Sequence, residues 1–189
     1  PIQSLFKFGD GEKVIGLLAL PATNEKSRAV TKPASQTTMS FTKSGKTKNS
    51  TDEFLVVSAQ GFGFRFPISN LSETTRTGRK IMSLKNDDTM IGFAPVTHSH
   101  VFLATVKGKA VVISTDQITQ LTGSGKGVIL MKPGESHLAG FKLVNLKDKV
   151  TLVFDSEDEK EITVKSVRLC SRGSQGVIIS KRKTILKIK

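Results

Sequence analysis

Three histidines, one cysteine and one dense acidic run are the residues whose types could support catalysis or metal binding in this chain. His98 and His100 would point the same way from one strand, and with His137 they imitate a metal site. No Cys or ordered carboxylate spacing accompanies them, and Thr97 and Ser99 read as a turn, so solvated histidines are expected. Asp155, Glu157, Asp158, Glu159 and Glu161 could hold a divalent ion, but the commoner reading of such a run is the charged tip of a hairpin. Cys170 has no His nearby in the sequence and adjoins an apolar strand, which suits an inert buried thiol. A single Cys also excludes an internal disulfide framework and a cysteine zinc site. Eleven Phe come with no Tyr and no Trp, so a step that needs a tyrosyl nucleophile, such as cleavage of a DNA strand through a phosphotyrosine, is beyond this chain alone. No Ser/His/Asp ordering suggests a triad, and neither an active site nor a metal or cofactor site is expected.

Motifs for phosphate and base recognition are the next candidates. Ser44-Gly45-Lys46-Thr47 ends like a phosphate-binding loop, but Ser40 stands where its first Gly is required and no helix opens after it to supply aligned amides. Gly123-Ser124-Gly125-Lys126-Gly127 fails the same test, because Val128-Ile129 continues as a strand. Gly61-Phe62-Gly63-Phe64 resembles the aromatic signature of RNA-recognition motifs and cold-shock domains, whose exposed rings stack on bases. Gln60 and Arg65 depart from that signature. Phe62, Phe64 and Phe66 also alternate on one strand face, opposite Arg65, and their equivalents in the next repeat are Lys109, Val111 and Ile113, so a core face is expected.

Charge narrows the class of partner. The 189 residues carry 29 Lys plus Arg against 16 Asp plus Glu, a formal charge of +13. The excess is +3 over residues 1–53, +2 over 54–100, +4 over 101–149 and +4 over 150–189. No block of five like charges exists, the nearest being Lys181-Arg182-Lys183. Positive sites recurring along a folded body suit a long polyanion, because counterion release accumulates with each phosphate neutralised. The alternative is a basic protein whose lysines serve solubility alone. No apolar run reaches membrane-spanning length and no signal pattern opens the chain, so a soluble, cytoplasmic protein without a membrane partner is expected.

The elements that must position these residues read as strands. Phe54 to Val57, Phe62 to Phe66, Val101 to Val106, Ala110 to Ile113, Gly127 to Met131, Val150 to Phe154, Ile162 to Val164 and Val177 to Ile179 are rich in branched and aromatic residues and separated by turn formers. No stretch has a convincing helical period. The strands repeat. A shift of 47 sets Phe54 on Val101, Gly61 on Gly108, Gly78 on Gly125, Arg79 on Lys126 and Lys85 on Lys132; a further 49 sets Val101 on Val150 and Gly127 on Gly176. Units therefore span 54–100, 101–149 and 150–189, with residues 1–53 holding the end of a preceding unit (Phe6 to Leu20) and a polar loop with a possible strand at Thr38 to Thr42. This period, with about four short strands per unit, is that of a propeller-like array of about four blades, some of them partial.

One loop recurs before a strand in each unit: Thr74-Thr75-Arg76-Thr77-Gly78-Arg79-Lys80, Leu121-Thr122-Gly123-Ser124-Gly125-Lys126-Gly127, and Cys170-Ser171-Arg172-Gly173-Ser174-Gln175-Gly176. These resemble degenerate copies of the Gln-Arg-Arg-Gly-Gly-Lys-Gly element in the C-terminal domain of the DNA gyrase A subunit and its topoisomerase IV counterpart, and Phe66 to Leu71 resembles that family's segment after a blade's second strand. The degeneracy looks more like topoisomerase IV. The resemblance implies a β-pinwheel whose basic rim binds, bends and wraps duplex DNA without sequence specificity. It would present a DNA segment to the cleavage core of an ATP-dependent type IIA topoisomerase, an isomerase associated with the nucleoid. Its partners would be duplex DNA, the rest of the A subunit and, through it, the ATPase B subunit. Glycine lets backbone amides approach phosphates while adjacent cations supply charge. Arg76, Arg79, Lys80, Lys126 and Arg172 are the first candidates; Lys107, Lys109, Lys132, Arg168, Lys181, Arg182 and Lys183 extend the track, and Arg65 could join from its strand face. The competing readings are a single-strand-binding module of cold-shock type and a propeller that docks a protein.

Overall fold

The computed structural model describes residues 14–16, 53–71, 78–85 and 87–189. Most of the segment before residue 53, including the expected strand at Thr38 to Thr42 and the Ser44 to Thr47 motif, lies outside them, as does Arg76. The described strands are β1 (Glu53–Ser58), β2 (Phe62–Pro67), β3 (Met90–Pro95), β4 (His100–Thr105), β5 (Lys109–Ser114), β6 (Val128–Ile129), β7 (Leu138–Val144), β8 (Lys149–Phe154), β9 (Glu159–Thr163), β10 (Val177–Ile178) and β11 (Ile185–Ile188). They form three antiparallel sheets in the orders β3-β1-β2-β6, β10-β5-β4-β7 and β11-β8-β9, the all-β blades that the repeat predicts. Short 3-10 turns follow β2, β5 and β9.

The β1–β2, β4–β5 and β8–β9 hairpins share one register: Leu55 faces Arg65, Phe102 faces Val112, and Thr151 faces Glu161. The sheets pack face to face, so β1, β4 and β5 are buried on both sides and read as near-continuous apolar runs, while β8 is fully buried only at alternate residues. Leu55 and Val57 join Val101, Leu103, Val111 and Ile113 in one cluster between the first two sheets. Phe102, Ala104 and Val112 point the other way, to Val150, Leu152, Ile162 and Ile185. Val56, Phe64, Phe66 and Met82 form a third cluster.

Three strands depart from the sequence expectation, namely β3, β7 and β11. They are the innermost strand of each sheet, and they lie side by side from one blade to the next. Gly92 and Pro95 interrupt β3 and Gly140 interrupts β7, which weakens the strand signal. The glycines have a packing reason. A Cβ on Gly92 would touch the Phe141 ring at 3.4 Å, and one on Gly140 would touch Ile188 at 3.5 Å, so each inner strand receives a side chain of the next.

The sheets are also out of phase with the repeats. β6 belongs by sequence to the second unit but pairs with β2 of the first, Phe62 against Ile129; β10 of the third pairs with β5 of the second, Lys109 against Ile178. This exchange needs bare backbone at the hairpin tips. The Gly61 carbonyl accepts from Leu130 N–H at 2.8 Å and the Gly108 carbonyl from Ile179 N–H at 2.8 Å. Both glycines have positive φ, and a Cβ on them would lie 2.1 Å from the Met131 carbonyl oxygen and 2.2 Å from that of Ser180. Gly108→Ala therefore adds displacement of β10 to left-handed strain and is expected to cost about 3–4 kcal/mol in urea unfolding. Gly134→Ala, at φ +68 with nothing within 4 Å of the added Cβ, meets the strain alone and is expected to lose only about 1–2 kcal/mol.

Candidate nucleic-acid interface

Strand exchange sets the candidate loops in series along the outer edges of the blades. After the 3-10 turn of the second unit, Thr119 O accepts from Arg65 N–H at 2.9 Å and Leu121 N–H donates to Arg65 O at 2.8 Å; the chain then loops through Thr122 to Lys126 and returns as β6. The third unit repeats this on β5, with Cys170 N–H donating to Val112 O at 2.9 Å before the loop and β10 after it. Successive segments are themselves bridged. Met82 pairs in parallel with Gly125, and Met131 with Ser174. Ser83 N–H donates to Gly125 O and Lys132 N–H to Ser174 O, each at 2.9 Å. Residues 78–83, 122–132 and 171–180 thus form a ladder running from blade to blade.

This ladder corrects the loop alignment. Gly78, Gly127 and Gly176 share the left-handed conformation, at φ +77, +76 and +73. The loops therefore correspond at 49 residues in both steps, and Gly78 matches Gly127 and not Gly125. The second unit has two more residues between its first hairpin and its loop than the first unit has. Gly123-Ser124-Gly125-Lys126-Gly127 offers a glycine in either register, and only the backbone conformation decides between them. Arg79 consequently stands one residue beyond the glycine, in the position of Val128, and not in that of Lys126.

Charge on this ladder is of one sign. Residues 78–85, 117–134 and 162–189 contain no Asp or Glu. Arg79, Lys80, Lys132, Arg168, Arg172, Lys181 and Arg182 are exposed there and have no carboxylate partner among the described residues. Arg79 Nη1 donates to the Asn70 carbonyl oxygen at 2.5 Å, and Asn70 Nδ2 donates to the Thr122 carbonyl oxygen at 2.6 Å, so Arg79 is fastened to the next unit's loop. Arg172 N–H donates to Gln117 Oε1 at 2.9 Å, anchoring the third loop. Sequence reasoning passed over Asn70, Gln117 and the exposed Lys85, and the first two have no local signal because their partners are distant in the chain.

Other candidates are engaged elsewhere. Lys126 is half-buried with its Nζ 3.9 Å from the centroid of the Phe62 ring, a cation–π contact. Lys107 faces Glu135 at 3.8 Å, and Lys109 is half-buried on β5. Lys183 pairs with Asp158. Hydrogen bonds from Lys183 and then from the Ser156 hydroxyl, together with the Lys183 charge, hold the Asp158 carboxyl below its ordinary range. Arg65 is the clearest departure from an open rim. Its Nη1 donates to Glu53 Oε2 and its Nε to the Ile118 carbonyl oxygen, each at 2.9 Å, and its side chain is 17% exposed. It clasps the first blade to the second unit.

The sites weighed for other chemistry resolve simply. Among the described residues no group of three His, Cys, Asp or Glu is placed to hold a metal ion. His98 and His100 are half-buried and bonded through Nδ1 to the Thr97 and Ser99 hydroxyls, while His137 is exposed. Cys170 is a half-buried thiol against the cluster between the first two sheets. Of the acidic run, Asp155, Glu157 and Asp158 form the β8–β9 hairpin tip, while Glu159 and Glu161 lie on β9 and pair with Lys189 and Lys149.

The family model described as DNA gyrase C-terminal domain, beta-propeller, matches residues 52–97, 99–154 and 162–185. A structure of the C-terminal domain of DNA topoisomerase IV is similar with a TM-score of 0.67 at 20% identity, covering 74% of this chain and 46% of that one. A DNA gyrase A C-terminal domain gives 0.66 at 16% identity, covering 72% and 50%. The E. coli ParC C-terminal domain gives 0.62 at 16%, covering 75% and 61%. The matched part of each of those domains is roughly half to three-fifths of its length. No curated protein matches the chain.

The phenylalanines face the core. Phe64 is fully buried and Phe66 nearly so, and Phe62 packs half-buried against the same cluster. Phe64→Ala is expected to destabilise the fold by about 3–5 kcal/mol, read by chemical unfolding, and to leave no folded protein selectively impaired in single-strand binding.

Proposed function

Because the chain belongs to the DNA gyrase C-terminal β-propeller domain family, we propose that it binds duplex DNA along the outer ladder and bends it there, as the DNA-holding part of a type IIA topoisomerase A subunit. The observation that carries this reading is the absence of carboxylates from three successive outer segments that display Arg79, Lys80, Lys132, Arg172, Lys181 and Arg182. Cations at intervals along a rigid edge match the phosphates of a polyanion, and the segments that carry them contain no carboxylate of their own. The contacts are to the backbone, so they position DNA without reading its sequence. Smooth bending of a 20–30 base-pair segment costs on the order of 1–6 kcal/mol, which several released counterion sets can offset.

Cleavage falls to a tyrosyl nucleophile outside this chain, which contains no Tyr. The bent segment would be presented to that cleavage core, with ATP hydrolysis supplied by the B subunit in the cytoplasm, where the enzyme works on the nucleoid. Phosphate contact by Lys and Arg calls for no cofactor. The buried faces of Phe64 and Phe66 favour this reading over a stacking platform for single strands.

A salt series tests it. With about six phosphate contacts, log affinity for a 30 base-pair duplex is expected to fall against log salt with a slope of about −5. Lys132→Gln and Arg172→Gln should each reduce that slope by about 0.9, while Lys149→Gln, whose charge pairs with Glu161, leaves it unchanged. A slope near zero overturns the proposal.

A further inference from the structure

The outer edge of β9 is the blade edge on which, among the described residues, no segment of another unit lies. The common register of the hairpins allows it to be compared, position by position, with the β2 and β5 edges that accept β6 and β10. Where those edges have Gly61 and Gly108, β9 is preceded by Glu157, a non-Gly residue at positive φ. Where they have Gly63 and Ala110, it has Glu159; where they have Phe64 and Val111, it has Lys160. All six residues on the accepting edges are buried, and the three on β9 are exposed.

The donor side differs in the same sense. Met82 and Met131, at the ends of the outer segments of the first two units, are buried in the core. Their counterpart in the third unit is Ser180, half-buried and bonded through Oγ to the backbone of Lys183 in its own turn. Among the described residues no loop of another unit covers β10, and Ile178 is 58% exposed. Clefts of 390 and 270 Å³ meet at Lys160 and Ile179, on the edge where the earlier blades carry an exchanged strand.

We infer that β9 is a terminating edge, whose side chains refuse the exchanged strand that β2 and β5 accept. A strand laid on β9 in the same register would bring a carbonyl oxygen to about 2 Å from the Cβ of Glu157, as it would for a Cβ on Gly61 or Gly108. It would also bury Glu159 and Lys160 and strip Glu159 from Lys189, at the cost of desolvating charges that gain no new partner. Charged side chains on an edge strand are a general device against unwanted strand addition. Here they would keep the β9 edge free of an exchanged strand beside Lys181 to Lys183, whether or not the rim holds DNA.

The full chain carrying Glu157→Gly, Glu159→Ala and Lys160→Val together tests this against wild type. The probe is a fluorescent synthetic peptide of residues 121–132, which contains β6 and its loop. By anisotropy the triple variant is expected to bind the peptide at least about tenfold more tightly than wild type, and to self-associate with rising concentration while wild type does not. Should the triple substitution fail to fold, Glu157→Gly with Glu159→Ala must still gain about threefold. Equal binding by wild type and folded variant, or no binding by either, overturns the inference.

Discussion

The structure depends on one close approach, that of an exchanged strand to the bare backbone of a hairpin tip. Gly61 and Gly108 supply it, each offering its carbonyl to an amide of the following unit in a space with no room for a Cβ. The hydrogen bonds of β6 and β10 to their neighbours are few, since each strand has two residues. β6 is held further by the parallel bridge of Gln120 to Arg65 before its loop and by Met131 buried after it, and β10 by the parallel bridge of Leu169 to Val112. Exchange makes each unit incomplete without the next, so the blades form a single cooperative stack and not independent beads.

The electrostatic surface follows from that arrangement. Among the described residues the carboxylates gather on the β8–β9 hairpin and at Asp87 and Asp88, with Glu53, Asp116, Glu135 and Asp148 apart from them, while the outer segments carry Lys and Arg alone. Exchange sets those segments end to end, which turns three locally modest clusters into one strip. Glu53 and Arg65 show the same economy of placement. A cation at the right sequence phase to reach the rim is used to clasp two units, because a carboxylate and a carbonyl oxygen of another unit lie within reach.

The repeat and the blade hairpins were legible because burial on both faces leaves a near-continuous apolar signature at β1 and β4, while β8, fully buried only at alternate residues, still shows the branched and aromatic residues of a strand. Strands β3 and β7 were not, since their glycines answer to side chains of neighbouring blades, a contact that no local pattern records. The candidate loops were found from glycine beside cation, yet their phase in the second unit slipped by two residues, because a Gly-Ser-Gly-Lys-Gly run fits two registers and only φ separates them. Lys132, Arg172, Lys181 and Arg182 were readable from charge and phase and stand exposed on the outer ladder. Arg65 was not, because its orientation is set by Glu53 and Ile118, whose proximity is a property of the fold.

That the outer ladder curves a duplex around the blades is the central claim, and energy transfer between dyes on the two ends of a short duplex tests it most directly. With the protein saturating a 30 to 40 base-pair duplex at low salt, transfer should rise as the ends approach, and it should return to the free-duplex value as salt releases the DNA. A duplex that is bound at saturation but shows the end-to-end distance of free DNA would contradict the account.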